Sequence, residues 1–230
     1  MNIERTMFWF KDGDEQLVSV NEDFFGLAIL LNRLLNNVYD GKKIKFINLN
    51  FFTNRTYELY SALPKDTSYY YGGHLTYYGM LELTQFNILS WNEKKNYVWE
   101  RACDYIKKSA TFTKNKKLFD AVEYAYLKGI EIKLNPDYRL LNVTVDVSDK
   151  QLDVSLWINF REDGMYSKLV IENNSGIIFE KQIDKTHKGV EYFLEMYKAL
   201  DFDGSNIIIK GRKDVGYLPL KVPISEFITN

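Results

Sequence analysis

A dense group of tyrosines around a Gly-Gly pair is the part of this sequence best suited to binding or chemistry. Residues 67–78 contain five of the seventeen tyrosines and one of the two histidines. Tyrosine joins a rigid apolar ring to a terminal hydroxyl. This combination suits a surface that is buried in a complex with a partner and exposed to water when the protein is free. We therefore predict a protein-binding surface. Its candidate residues, called the tyrosine group, are Tyr69, Tyr70, Tyr71, His74, Tyr77 and Tyr78.

The chain offers few residues suited to catalysis. His74 follows the Gly-Gly pair and could act as an acid or base, but a histidine among aromatic rings is more often structural. Cys103, the single cysteine, lies on the apolar stripe of a predicted helix, where it should behave as a small hydrophobic residue. Glu100 and Asp104 share a helix face that could hold a metal ion, although pairing with neighbouring lysines explains them more simply. We predict no catalytic residue, no metal site and no cofactor.

Sites for phosphate, calcium and nucleic acid are not indicated either. The Gly-Gly pair lacks the lysine and hydroxyl residue that complete a phosphate-binding loop. Residues 201–206 resemble a calcium-binding loop, but the glycine is misplaced, so we predict a turn. Lysines between positions 107 and 117 surround Phe112, as in a site for single-stranded nucleic acid, although the solvated end of a helical hairpin accounts for them. We do not expect a nucleic-acid partner.

Charge and hydropathy point to a soluble, cytoplasmic protein. The 30 basic and 31 acidic side chains give a net charge of −1, so no overall field favours nucleic acid or an anionic membrane. The N-terminal residues do not resemble a secretory signal. Asn32 and Arg33 interrupt the most apolar stretch, residues 24–35, which is too short to span a membrane. We expect no membrane partner.

The tyrosine group must be positioned by local strands. Gly72 and Gly73 suit a two-residue hairpin turn between strands at 68–71 and 74–83. Because successive strand residues point to opposite faces, Tyr69 and Tyr71 should share one face and Tyr70 should lie on the other. Part of the group should therefore be exposed.

The surrounding pattern predicts an α+β fold. The N-terminal half, 1–135, should be mixed α/β with a helical hairpin, and the C-terminal half, 136–230, mainly an antiparallel β-meander with one helix. Asn135-Pro136-Asp137 marks the boundary, although the halves could also form one integrated domain. The predicted N-terminal elements are a hairpin of 3–11 with 16–20, a helix capped by Asn21, strands at 44–52 and 56–63, helices from 92 and at 116–127 with a stop at Gly129, and a strand at 130–134. The predicted C-terminal elements are strands at 141–147, 152–160, 166–172 and 177–183, a helix at 187–200, and strands at 206–210 and 217–228.

The function predicted from these features is binding of another protein. The aromatic-, lysine- and asparagine-rich, proline-poor composition resembles that of small bacterial proteins, among which immunity and antitoxin-like proteins are common, although no motif carries this resemblance. We hypothesise a cytoplasmic inhibitor that neutralises a partner, such as a toxin, through the tyrosine group. The alternatives are an enzyme of unfamiliar type, hydrolase- or nuclease-like, that uses His74 in a pocket, and a structural subunit of a homo-oligomer. The sequence leaves the oligomeric state open.

Overall fold

Sheets and helices occur in both halves of the chain. The computed structural model describes residues 2–147 and 150–226, and the chain divides into two units, Met1–Pro136 and Asp137–Asn230. The first unit contains a mixed sheet and a helical hairpin, and the second contains antiparallel sheets with one short helix. The predicted α+β class is confirmed. Whether the halves are separate domains with a boundary at 135 stays a prediction.

The first unit is built on one five-stranded sheet. Its strand order is β2-β1-β3-β5-β4, in which β1, β3 and β5 are parallel while β2 and β4 pair antiparallel at the edges. Its strands are β1 Arg5–Asp12, β2 Glu15–Gln16, β3 Phe46–Phe52, β4 Thr67–Tyr71 and β5 His74–Met80. Its helices are α1 Val18–Asp23, α2 Phe25–Asn36, α3 Asn54–Leu59, α4 Leu83–Ile88, α5 Trp91–Phe112 and α6 Lys116–Glu131.

One face of this sheet packs against helices. Phe10 stacks on Phe51 with ring centroids 4.7 Å apart, and Tyr105 of α5 stacks on Tyr77 at 4.4 Å. Tyr105 lies so close to Gly79 that a β-carbon there would fall 2.1 Å from the Tyr105 ring. Alternation along each strand therefore places every second side chain in this core.

Helices α5 and α6 form the predicted antiparallel hairpin. Ser90 caps α5 in a capping box with Glu93. Trp99, in the first half of α5, packs on Gly129, near the end of α6, where a β-carbon would lie 2.2 Å from the indole. The predicted stop at Gly129 is therefore wrong: α6 continues through this glycine, whose lack of a side chain leaves space for the Trp99 indole.

Three further predictions in the first unit are wrong. Residues 56–63 do not form a strand: Thr53 caps α3 by accepting a hydrogen bond from the Thr56 amide. Residues 130–134 do not form a strand either, since α6 runs on to Glu131. Asn21 does not cap a helix but lies within α1, and its side-chain oxygen accepts a hydrogen bond of 2.8 Å from the Phe10 amide. The first hairpin is also shorter than predicted, because α1 begins where the second strand was expected to continue.

The second unit contains the predicted meander. Its strands β6 to β9 follow one another in a four-stranded antiparallel sheet, and β10 to β12 form a three-stranded one. The strands are β6 Tyr138–Val147, β7 Lys150–Arg161, β8 Gly164–Asn173, β9 Gly176–Thr186, β10 Tyr197–Phe202, β11 Asn206–Gly211 and β12 Leu220–Pro223.

Two predictions in the second unit need correction. The helix expected at 187–200 shrinks to α7, Glu191–Glu195, because Tyr197 enters β10 and its hydroxyl lies 2.6 Å from that of Ser167. The strand expected at 217–228 is β12 followed by a 3-10 turn at Ile224–Glu226, and positions 227 and 228 lie outside the described residues. Among the helices of the described ranges, none has both the length and the apolar character that a membrane span requires.

Candidate functional site

The second face of the five-stranded sheet is the candidate binding surface. Helices α2 and α5 pack on the first face, with α6 packed on both of these helices, and the alternate side chains of β1, β3, β5 and β4 point the other way. We call this second surface the open face. It carries Met7, Trp9 and Lys11 of β1, Phe46, Asn48, Asn50 and Phe52 of β3, His74, Thr76 and Tyr78 of β5, and Tyr69 and Tyr71 of β4.

The structure separates the tyrosine group between the two faces. Tyr69 and Tyr71 lie on the open face and are 57% and 74% exposed. Tyr70 lies on the opposite face, where its hydroxyl donates to the Lys43 carbonyl at 2.8 Å. Tyr77 is 1% exposed and stacks on Tyr105 inside the core, so it is not a surface residue. Burial raises the pKa of the Tyr77 hydroxyl, which therefore stays protonated at neutral pH.

His74 and Tyr78 lie on the open face but at different places. His74 is exposed beside Tyr71, its cross-strand partner, and its ring stacks on Phe46 with centroids 4.6 Å apart. Tyr78 is half-buried near the other end of β5. His74, Tyr69 and Tyr71 therefore share the end of the open face next to the Gly-Gly turn, which we call the hairpin end.

Tyr78 belongs to a depression that the sequence did not reveal. This depression has a volume of about 480 Å³ and lies towards the carboxyl ends of the three parallel strands. Among the residues that line it are Trp9, Asn48, Asn50, Tyr60, Thr76 and Tyr78. We call it the Asn50 depression. The sequence does contain a signal for this depression, which is the pair Asn48 and Asn50 within an otherwise apolar strand. Asparagine is a residue type that strands disfavour.

The strand register fixes the geometry of this depression. Trp9, Asn50 and Tyr78 are direct cross-strand neighbours on β1, β3 and β5, so the amide lies between the two aromatic side chains. The Trp9 indole donates to the Asn48 side-chain oxygen at 3.2 Å, which orients the indole ring. Asn50 is only 7% exposed, and its amide makes no hydrogen bond to any described residue. Neither amide atom is among the fully buried unpaired atoms of the described residues, so the amide remains open to solvent.

Residues after α3 form one wall of the depression. The Lys11 ammonium lies 4.2 Å from the centroid of the Tyr60 ring. The Tyr60 hydroxyl donates to the Asp14 carboxylate, and this hydrogen bond raises the pKa of Tyr60. Of the nine described residues that line the depression, only Lys11 is charged. The depression is therefore largely neutral, with aromatic walls and a polar floor.

The other residues considered for chemistry have structural partners. Cys103 is buried, and its burial raises the pKa of the thiol, which makes a thiolate nucleophile unfavourable. Asp104 pairs with Lys108 at 2.8 Å on the helix surface. In the turn at 201–206, the Asp203 carboxylate accepts from the backbone amides of Ser205 and Asn206. Among residues 2–147 and 150–226, no three histidine, cysteine or carboxylate side chains are grouped as metal ligands.

The lysines around Phe112 are mostly neutralised by carboxylates. Phe112 itself is exposed at the end of α5. The ion pairs in this region are Lys107 with Glu123, Lys116 with Asp120, and Lys117 with Asp40. Such pairing leaves little positive field for a phosphate backbone.

Comparison with known proteins gives no assignment. No protein-family model matches the sequence, and no curated protein or solved structure matches it significantly. Arguments about function therefore rest on the open face itself.

Proposed function

We propose that this chain is a protein-binding module that contacts its partner through the hairpin end of the open face. The observation that carries the proposal is the exposure of Tyr69 and Tyr71 on one face of an edge strand, beside the stacked rings of His74 and Phe46. Large aromatic rings with polar tips dominate the energetics of many protein interfaces. A solvated sheet face that presents them is well suited to become an interface.

The position of β4 favours an extended segment of the partner. β4 is the last strand of the sheet, and its sequence Thr-Ser-Tyr-Tyr-Tyr contains no charged residue and no proline. Natural edge strands usually carry lysine, proline or a bulge that prevents pairing with another chain. An edge without these features suits a partner strand that adds to the sheet, with Tyr69 and Tyr71 contacting its side chains.

Among protein-binding functions, the aromatic-, lysine- and asparagine-rich composition favours an inhibitor that resembles immunity proteins. Such an inhibitor needs a complementary surface and no reactive group. His74 lies exposed on Phe46 and outside the Asn50 depression, so it offers less support to the enzyme alternative. A homo-oligomeric subunit would pair the same edge with a second copy, and sedimentation would detect that assembly directly.

The test compares partner capture by two double variants. The tagged chain and a Tyr69→Ala/Tyr71→Ala variant are used to purify partners from the cells of origin, and bound proteins are quantified by mass spectrometry. Tyr124→Ala/Tyr192→Ala removes two exposed tyrosines from elsewhere in the chain and serves as the matched control. The proposal expects a stoichiometric partner that is lost only in the first variant.

Hydrogen exchange then locates the contact. In the purified complex, amides of residues 67–71 should gain protection because a partner strand would occupy their edge. Equal capture by both double variants, or protection confined to other segments, would show that the hairpin end is not the binding surface.

A further inference from the structure

A second depression lies on the helix-covered face of the sheet, beside the edge strand β4. Tyr70 of β4 and Phe112, the last residue of α5, both line it, and its volume is about 320 Å³. We call it the Lys43 depression. Its lining residues are Lys43, Ile44, Tyr70, Phe112, Thr113 and Asn115.

A strand that adds to β4 would place a side chain beside this depression. Among the residues of β4, Ser68 and Tyr70 point to the helix-covered face, since their cross-strand partners on β5 lie in the core. Ser68 is buried, and its hydroxyl lies 2.9 Å from that of Ser109 of α5. Tyr70 is 37% exposed. The added residue opposite Tyr70 points to the same face as Tyr70 and therefore towards the Lys43 depression.

The neutral polar side chains that line the depression already have hydrogen-bond partners. The Tyr70 hydroxyl donates to the Lys43 carbonyl, and the Thr113 hydroxyl donates to the Ser109 carbonyl, each at 2.8 Å. The Asn115 NH₂ group donates to a tyrosine hydroxyl at 3.5 Å, and the Asn115 oxygen accepts from a backbone amide at 3.1 Å. The Lys43 ammonium, by contrast, donates to no described residue.

The charge around the depression is positive. No described carboxylate lines it, and Lys43 forms no ion pair with a described residue. Two further lysines nearby also lack such a pair: Lys45, whose side chain lies against Gly73 of the hairpin turn, and Lys114, which follows Thr113. The Asp40 carboxylate is taken by Lys117. This end of β4 therefore attracts an anionic group.

The walls favour a carboxylate on an apolar stem. The Phe112 ring is 65% exposed and the Ile44 side chain is buried, so apolar surface adjoins the lysine. A phosphate usually requires several converging donors, and the Lys43 ammonium is the one lining donor group that has no partner among the described residues. A glutamate or aspartate side chain brings methylene groups to the apolar walls and a carboxylate to the ammonium.

We propose that the partner segment that adds to β4 carries an acidic residue whose carboxylate enters the Lys43 depression and pairs with the Lys43 ammonium. This proposal rests on the proposed function, because it gives the chemistry of the partner at the same edge. The residues on either side of the acidic one point to the open face, where they contact Tyr69 and Tyr71 and are best apolar. The partner segment is therefore an extended sequence of apolar, acidic and apolar residues.

The first test titrates the full chain with three capped heptapeptides. Their sequences are Ser-Thr-Val-Glu-Val-Thr-Ser and the two forms with glutamine or lysine at the centre, and NMR follows binding up to about 5 mM because short peptides bind weakly. The glutamate peptide should bind about threefold to tenfold more tightly than the glutamine peptide, and the lysine peptide should bind least. Raising NaCl to about 0.5 M should bring the glutamate-to-glutamine ratio closer to one, because salt screens the ion pair.

The second test asks whether Lys43 causes the preference. Lys43→Met removes the ammonium but keeps the backbone carbonyl that accepts from Tyr70, and it should reduce the ratio to about one. Lys42→Met makes the same change of charge at an exposed neighbour that does not line the depression, and it should keep the preference. Lys43→Glu should reverse the order and favour the lysine peptide. Because each ratio compares two peptides on one protein, a change in its folded fraction cancels.

The Tyr69→Ala/Tyr71→Ala variant distinguishes this proposal from the protein-binding proposal. It should weaken all three peptides and leave their order unchanged. Equal binding of the three peptides, lost in this variant, would overturn the acidic partner and leave the protein-binding surface standing. A glutamate preference that persists in Lys43→Met would place the carboxylate elsewhere and also overturn the proposal. Failure of every peptide to bind at about 5 mM would overturn it too, whereas partner capture from cells judges the protein-binding proposal separately.

Discussion

Replacing Asn50 by leucine should stabilise the first unit. The side chain is 7% exposed and carries an amide without a hydrogen-bond partner among the described residues. Neither amide atom is among the fully buried unpaired atoms, so the amide keeps part of its hydration and costs less than the about 1–3 kcal/mol of a fully buried, unpaired amide. Asn50→Leu removes that cost and leaves an apolar side chain of similar size between two aromatic rings. A residue that reduces stability without a structural benefit is typical of a binding site.

The expected gain is smaller than the full cost of the amide. Leucine branches at a different place, and imperfect packing commonly offsets up to about 1–3 kcal/mol. We expect a net increase of about 0.5–1 kcal/mol in the free energy of unfolding, the order of the difference in strand propensity between asparagine and an apolar residue, which corresponds to a rise in Tm of about 1–4 °C for a chain of this size.

Urea unfolding of the first unit provides the assay, followed through hydrogen exchange of peptides within residues 2–136. Asn48→Leu is the matched control, because the Asn48 oxygen accepts the Trp9 indole hydrogen bond and its loss leaves that donor unpaired. We expect little or no gain for Asn48→Leu. If Asn50→Leu lowers stability, or behaves as Asn48→Leu does, the Asn50 amide already supports the sheet and the reasoning about its cost is wrong.

Three further predictions concern other parts of the fold. Gly129→Ala should lower the free energy of unfolding by about 1–2 kcal/mol in urea, since overpacking against Trp99 outweighs a gain of about 1 kcal/mol in helix propensity. A Trp99→Leu background should remove that loss. The pKa of Asp203 is lowered from 3.8 to about 2, first by the Ser205 amide and then by Lys221. The contribution of Asp203 to stability is therefore complete above pH 3.8 and is lost as the pH falls through about 2. NMR titration of the unaltered chain should give the Asp203 carboxyl a pKa near 4 only when the chain is unfolded. Acid unfolding of Asp203→Asn should show a stability that depends less on pH than that of the unaltered chain. Native Cys103 should not react with a thiol reagent at pH 8, around the ordinary thiol pKa, because burial raises its pKa and blocks access, whereas urea should restore the reaction.

Local sequence signals were sufficient for several elements. Gly72 and Gly73 adopt φ angles of +57° and +90°, which residues without a β-carbon reach readily, so the hairpin between β4 and β5 follows from the pair itself. The spacing of Val98, Trp99 and Ala102 likewise predicted the buried stripe of α5.

Other elements were misjudged because tertiary contacts outweighed local patterns. Residues 56–63 have strand-like composition, yet Thr53 caps a helix there and the Tyr57 hydroxyl donates to the Gly79 carbonyl at 3.0 Å. Gly129 has the appearance of a helix stop, but the indole of Trp99, 30 positions earlier, occupies the space beside it. Neither contact has a signal within a short window of sequence.

The sequence alone determined that neighbouring tyrosines point to opposite faces, since strand alternation is a local property of the backbone. Only the tertiary structure decided which face is open: Tyr105 stacks on Tyr77 and withdraws it into the core, which leaves Tyr78 on the other side. The Asn50 depression depends on tertiary structure entirely. Trp9, Asn50 and Tyr78 meet because β1, β3 and β5 pair in one register, and that pairing joins segments far apart in the chain through the burial of their common core face.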